Sequence, residues 1–146
     1  MKEQHTMALT ITSVLGEGEN REEYTLTSRG QLRMASGVNS LTYTEDLEGK
    51  KVHTTLTYRL HANRVHLKKR GGMKSEIIFE ENFEHTSLYE IPPYSFDMTV
   101  RSQVVKASLG ADGGEIVLSY QRTIGGDTAP VEMRIVGIPM ETEDDL

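Results

Sequence analysis

Apolar and polar residues alternate with a period of two along most of this chain, and the 3.6-residue rhythm of an amphipathic helix is nearly absent. From Met7 to Gly16, the residues Met7, Leu9, Ile11 and Leu15 alternate with Thr10 and Thr12, predicting a first strand ended by the polar run Gly16–Glu22. Tyr24, Leu26 and Ser28 alternate with Thr25 and Thr27, and the pattern resumes with Leu32 and Met34 after Gly30. Leu41 and Tyr43 share one face of the next strand, which the run DLEGKK closes.

The clearest hairpin lies in KVHTTLTYRLHANRVHLKKRGG. Val52, Thr54, Leu56, Tyr58 and Leu60 fall on one face, and His53, Thr55, Thr57, Arg59 and His61 on the other. A two-residue turn at Ala62–Asn63 sets Leu60 opposite Val65, Tyr58 opposite Leu67 and Leu56 opposite Lys69. SEIIFE and EHTSLYEI pair across the turn at Glu81–Phe83, with Phe79 opposite His85 and Ile77 opposite Ser87. In FDMTVRSQVVKASL, Phe96, Met98, Val100, Ser102 and Val104 are in phase before the pattern slips to Val105, Ala107 and Leu109, as a β-bulge requires. GADGG turns the chain, and EIVLSYQRT and PVEMRIVGI form a last hairpin. The expectation is all-β: one antiparallel up-and-down barrel of about 8–11 strands, with a core over residues 6–138 and an acidic, mobile tail over 139–146.

Composition narrows the chemistry. At 146 residues a single domain can bury a core without staples, and no apolar run approaches the ~20 residues of a membrane span. The absence of cysteine removes thiol catalysis, disulfides and thiolate metal sites, and with no signal-peptide pattern at the start it favours a cytoplasmic location. The net charge of -6 argues against nonspecific binding of nucleic acid. Neither RGG (70–72) nor GADGG (110–114) matches a phosphate-loop spacing or opens a helix, so both read as turns.

The segment IIFEENFEHTSLYEIPPYSFDMTV, followed by VKASLGADGGEIVLSYQRTIGG, resembles the YwiB-like family of uncharacterised bacterial proteins, over about Thr10 to Ile138. Phe79, His85, Ser87, Tyr89, Glu90, Gly113, Gly114 and Tyr120 stand at the family's most specific positions; the chain departs at IPPYS, where a Thr-Pro-Tyr-Gly-like corner is the pattern. The resemblance implies a calycin-like, lipocalin-shaped barrel and carries no assigned activity.

Two clusters are candidates for function. His85, Ser87 and Tyr89 share a strand face with Ile77 and Phe79, so they point inward as a hydrogen-bonded network or as polar anchors in a lumen with Tyr58 and Lys69. A catalytic pair is disfavoured, since residues two apart on a strand are separated by ~7 Å at a rise of roughly 3.3 Å per residue. The second cluster is the acid-free segment 59–74, whose Arg59, His61, Arg64, His66, Lys68 and Arg70 share the outer face. It reads as a solvated strand face or as a dock for an acidic partner or phosphate; it lacks the aromatics that single-strand nucleic-acid readers interleave. Lys69 instead points inward near a strand end, able to reach the barrel mouth or meet an anionic ligand. No metal site or cofactor is expected. The leading expectation is a non-catalytic module binding a small, partly apolar ligand among inward Met34, Tyr58, Phe79 and Tyr89; the alternative is an interaction module using the cationic hairpin.

Overall fold

The computed structural model describes residues 2–140, which form ten antiparallel strands in a nearly closed barrel. They are β1 (Lys2–Leu15), β2 (Glu22–Ala35), β3 (Val38–Leu47), β4 (Lys50–Tyr58), β5 (Arg64–Gly71), β6 (Ser75–Glu80), β7 (Glu84–Ile91), β8 (Tyr94–Ala107), β9 (Gly114–Ile124) and β10 (Asp127–Pro139). The turn chemistry explains the meander: Ser36–Gly37, Glu48–Gly49 and Gly125–Gly126 are two-residue connections with positive φ throughout, a geometry whose twist matches that of the flanking strands. The β7–β8 connection is Pro92–Pro93, joined by a cis peptide. The one helical element described is the 3-10 turn Gly18–Asn20.

The barrel closes where the chain ends meet. β1 and β10 pair from Met7 with Pro139 through Leu15 with Val131. The gap falls instead between sequence-adjacent β6 and β7, the two edges of the sheet. The register expected there is realised at Lys74–Glu90, which exchange both backbone hydrogen bonds at 2.9 Å. Continuing that ladder by its alternation would join Ile78 to Thr86. Ile78 N–H instead donates to His85 Nδ1 at 3.2 Å, so an imidazole bridges the seam where a carbonyl would. Beyond it, β8 supports the turn, with Asn82 N–H on the Ser102 carbonyl and Ser102 N–H on that of Phe83.

Several expectations are corrected. The β4–β5 connection is a five-residue loop, Arg59 to Asn63, so Tyr58 pairs with Val65, Leu56 with Leu67 and Lys69 with Thr54. A shift of two preserves every face, because side chains alternate with period two. Leu60, however, leaves the inner face and is exposed, while His61 enters the loop at φ 65° and donates its N–H to the Ala107 carbonyl. The bulge on β8 falls between Ser102 and Val104, one step earlier than expected, which turns Val104 outward and leaves Val105 buried. β1 begins at Lys2, and Pro139 belongs to β10; the rest of the expected acidic tail, apart from Met140, lies outside the described residues.

The inner faces form a continuous core. Leu32, Leu41, Leu56, Phe79, Leu118 and Ile135 have no surface accessible to water. A void large enough for water would leave such surface on the side chains around it, so the depth of this barrel is solid.

Candidate functional site

The two ends of the barrel differ. At one end, the loop after β4 and the turn after β8 plug the opening: Tyr58 OH donates to the Leu109 carbonyl at 2.7 Å, and Asn39 Nδ2 approaches the same oxygen at 3.5 Å. Burial pushes the Tyr58 phenol up to about 12. At the other end the wall forks. β2 pairs with β3 only from Gln31–Thr42 to Ala35–Val38, and the first half of β2 pairs with β1 alone. This end is the mouth.

Period-two alternation carries polar groups into the mouth. On β9, buried Ile116, Leu118 and Tyr120 are followed on the same face by half-buried Arg122. On β3, buried Leu41 and Tyr43 are followed by half-buried Glu45; on β5, Val65 and Leu67 by Lys69. Lys69 Nζ and Glu45 Oε1 meet at 2.6 Å across the intervening β4. Arg122 has no carboxylate within 4.0 Å among the described residues.

Tyrosines surround these charges. Burial raises Tyr120 to about 12 and Tyr89 above its ordinary value, in each case opposed by the positive charge of Arg122. Burial, reinforced by Glu45, raises Tyr43 as well. All three therefore remain neutral hydrogen-bond donors at ordinary pH. Above them the β7–β8 hairpin overhangs the wall, because β8 joins β9 only from Met98 onward. Its inner face carries the opposed pairs Tyr89–Phe96 and Ile91–Tyr94. Tyr94 and Phe96 are 65% and 42% exposed and stack with ring centroids 6.4 Å apart. Leu15, Leu26, Ile124 and Met133 are partly buried against the core at this end.

The expected lumen residues are thus divided. Tyr58 and Phe79 belong to the solid interior, Phe79 packing 4.9 Å from Tyr120. Lys69 and Tyr89 reach the mouth. His85 lies at the seam, its ring stacked at 6.4 Å on Phe83 and its Nδ1 occupied by Ile78 N–H. The buried Ser87 hydroxyl makes no hydrogen bond to His85 or to any other described residue, and those of Thr54 and Ser102 are likewise unpartnered. The expected inward network of His85, Ser87 and Tyr89 is therefore not joined by hydrogen bonds. Among the described residues no group of three or more His, Asp or Glu side chains lies close enough to hold a metal ion.

The outer cationic face is shorter and less cationic than expected. Arg64, His66, Lys68 and Arg70 alternate outward on β5, but Arg59 and His61 sit in the loop. Neighbouring β6 brings acids to the same face, with His66 Nε2 2.8 Å from Glu76 and Arg64 4.0 Å from Glu80. Lys68 and Arg70 keep no carboxylate within 4.0 Å among the described residues. Arg70 instead lines a groove of about 490 Å³ with Arg29, His53, Gln31 and four threonines.

Sequence reasoning did not single out Arg122, Glu45 or the Tyr94–Phe96 lip. The alternation in EIVLSYQR puts Arg122 on the inner face and was a sufficient signal for it. The overhang had none, since it depends on where β9 stops. No helix of the described residues is long and apolar enough to cross a membrane.

Comparison with known proteins agrees with the architecture. A search of curated proteins finds no match. The crystal structure of ywiB protein from Bacillus subtilis superposes with a TM-score of 0.85 over 94% of each chain at 17% identity, a likeness of fold. The model of a domain of unknown function, DUF1934, matches residues 9–135, and the chain belongs to that family.

Proposed function

We propose that this protein is a non-catalytic binding module that holds a small, partly apolar ligand in its barrel, seated in the mouth. The observation that carries this reading is the contrast within the interior: inward side chains are inaccessible at depth, whereas Glu45, Lys69, Tyr89 and Arg122 at the mouth are half-buried and an apolar hairpin overhangs that end. Apolar side chains set beside a few convergent polar groups have the composition of a ligand site. A binding role rather than catalysis is supported by His85, whose Nδ1 is taken up by the backbone, and by Ser87, which has no base beside it. Native mass spectrometry of the freshly purified full chain is expected to show a non-covalent small-molecule adduct that Phe96→Asp removes. A bare mass, together with no change in melting temperature across a panel of amphiphilic small molecules, overturns the reading.

A second reading, docking of an acidic protein or other anion on the outer face, is favoured by the groove beside Arg29, His53 and Arg70, whose lining contains no carboxylate. Reversing Arg29, Lys68 and Arg70 to Glu then abolishes a salt-sensitive association and leaves the melting temperature nearly unchanged, since exposed charges add little to stability. An association that survives the reversal refutes it.

A further inference from the structure

We infer that Arg122 is the receptor for the carboxylate of a monoanionic ligand whose apolar body lies against the β7–β8 lip. This rests on the mouth-binding reading above and adds the chemical class of the ligand. Arg122 follows three buried inward positions on β9 and is itself half-buried, and no carboxylate lies within 4.0 Å of it among the described residues. A half-buried charge without a partner has lost part of its hydration with nothing in exchange, and an anion arriving from outside supplies the missing partner.

The surrounding charges select the anion. The other half-buried inward charges at the mouth, Lys69 and Glu45, neutralise one another at 2.6 Å. Among these half-buried groups that leaves one positive charge in surplus, matched by a monoanion. A dianion would leave a negative charge uncompensated in the same space as Glu45. The planar fork of a guanidinium fits the two oxygens of a carboxylate with parallel hydrogen bonds. Tyr89, near enough for its titration to feel Arg122, is kept neutral by burial and can donate a further hydrogen bond. The apolar body finds Phe96 and Tyr94 on one side and Leu26, Ile124 and Met133 on the other.

Calorimetric titration of the full chain with octanoate, octanol and octyl phosphate tests this, because the three share an apolar body and differ in charge. Octanoate is expected to bind one per chain and more tightly than either of the others. Arg122→Gln should weaken octanoate about ten- to a hundredfold, the range a charged hydrogen-bonded contact commands, and leave octanol unchanged. Arg122→Lys, which keeps the charge without the fork, gives an intermediate loss and serves if the Gln variant does not fold. Arg70→Gln on the outer face should alter none of the three. Octanol binding as tightly as octanoate, or octanoate unaffected at Arg122→Gln, overturns the role of Arg122 with mouth binding intact. Tighter binding of octyl phosphate overturns the preference for a monoanion. Failure of all three probes to bind overturns the mouth-binding reading together with this inference.

Discussion

Both ends of this barrel are made by the same strands, with the same alternation, and their inner faces end differently. At the plugged end the last inward residues are Tyr58, Val65 and Leu109, all buried, with the Tyr58 hydroxyl satisfied by a carbonyl. At the mouth the inward positions Glu45, Lys69, Tyr89 and Arg122 are all half-buried. The difference is one of cover. Loops fold over the first end and let apolar groups be buried there; a fork and an overhang leave the second accessible, where charges remain partly hydrated. On the proposed reading, stability and binding are thereby separated along the barrel axis.

The sharpest way to break this comparison is to truncate each end. Leu56→Ala removes a side chain with no accessible surface and is expected to cost about 2–5 kcal/mol, while Phe96→Ala at the lip should change stability by no more than about 0.5 kcal/mol. Chemical denaturation of both variants reads the contrast. Similar losses would mean that the lip is part of the core.

Removing one hydroxyl at each end is a finer test. Tyr58→Phe strips the Leu109 carbonyl of its close donor and should destabilise by about 1–3 kcal/mol. Tyr89→Phe at the half-buried mouth should stay within about 0.5 kcal/mol. A large loss at Tyr89 would signal a buried partner in the interior rather than a position facing the mouth.

Alkaline pH probes the same contrast without any substitution. Tyr58 and Tyr120 rise to about 12 in the folded chain from an unfolded value of 10.0, so their neutral forms stabilise the fold fully below pH 10. That contribution is lost as pH climbs from 10 towards 12, because the unfolded chain releases these protons first. Denaturation midpoints should fall across this window, and buried phenolate absorbance should appear with unfolding. Tyrosines that ionise freely near pH 10 in the folded state would contradict the assigned burial.

Local alternation in the sequence determined which residues face inward, and it did so robustly: the β4–β5 register moved by two without reversing one strand face. It also announced the bulge on β8, misplacing it by one step because Val104 is as apolar as the inward residues around it. The inward positions of Lys69 and Tyr89 were legible for the same reason. Tertiary structure alone decided how the wall closes. β1 and β10 join in a long ladder although they lie at opposite ends of the chain, while adjacent β6 and β7 part around the His85 ring. It decided charge partners too: acids of β6 reach His66 and Arg64, Glu45 reaches Lys69 across a strand, and Arg122 is left without one. Side-chain direction is a property of a single strand and is written in period two. Closure, end cover and charge compensation depend on which strands become neighbours and where each one stops, and local alternation records neither.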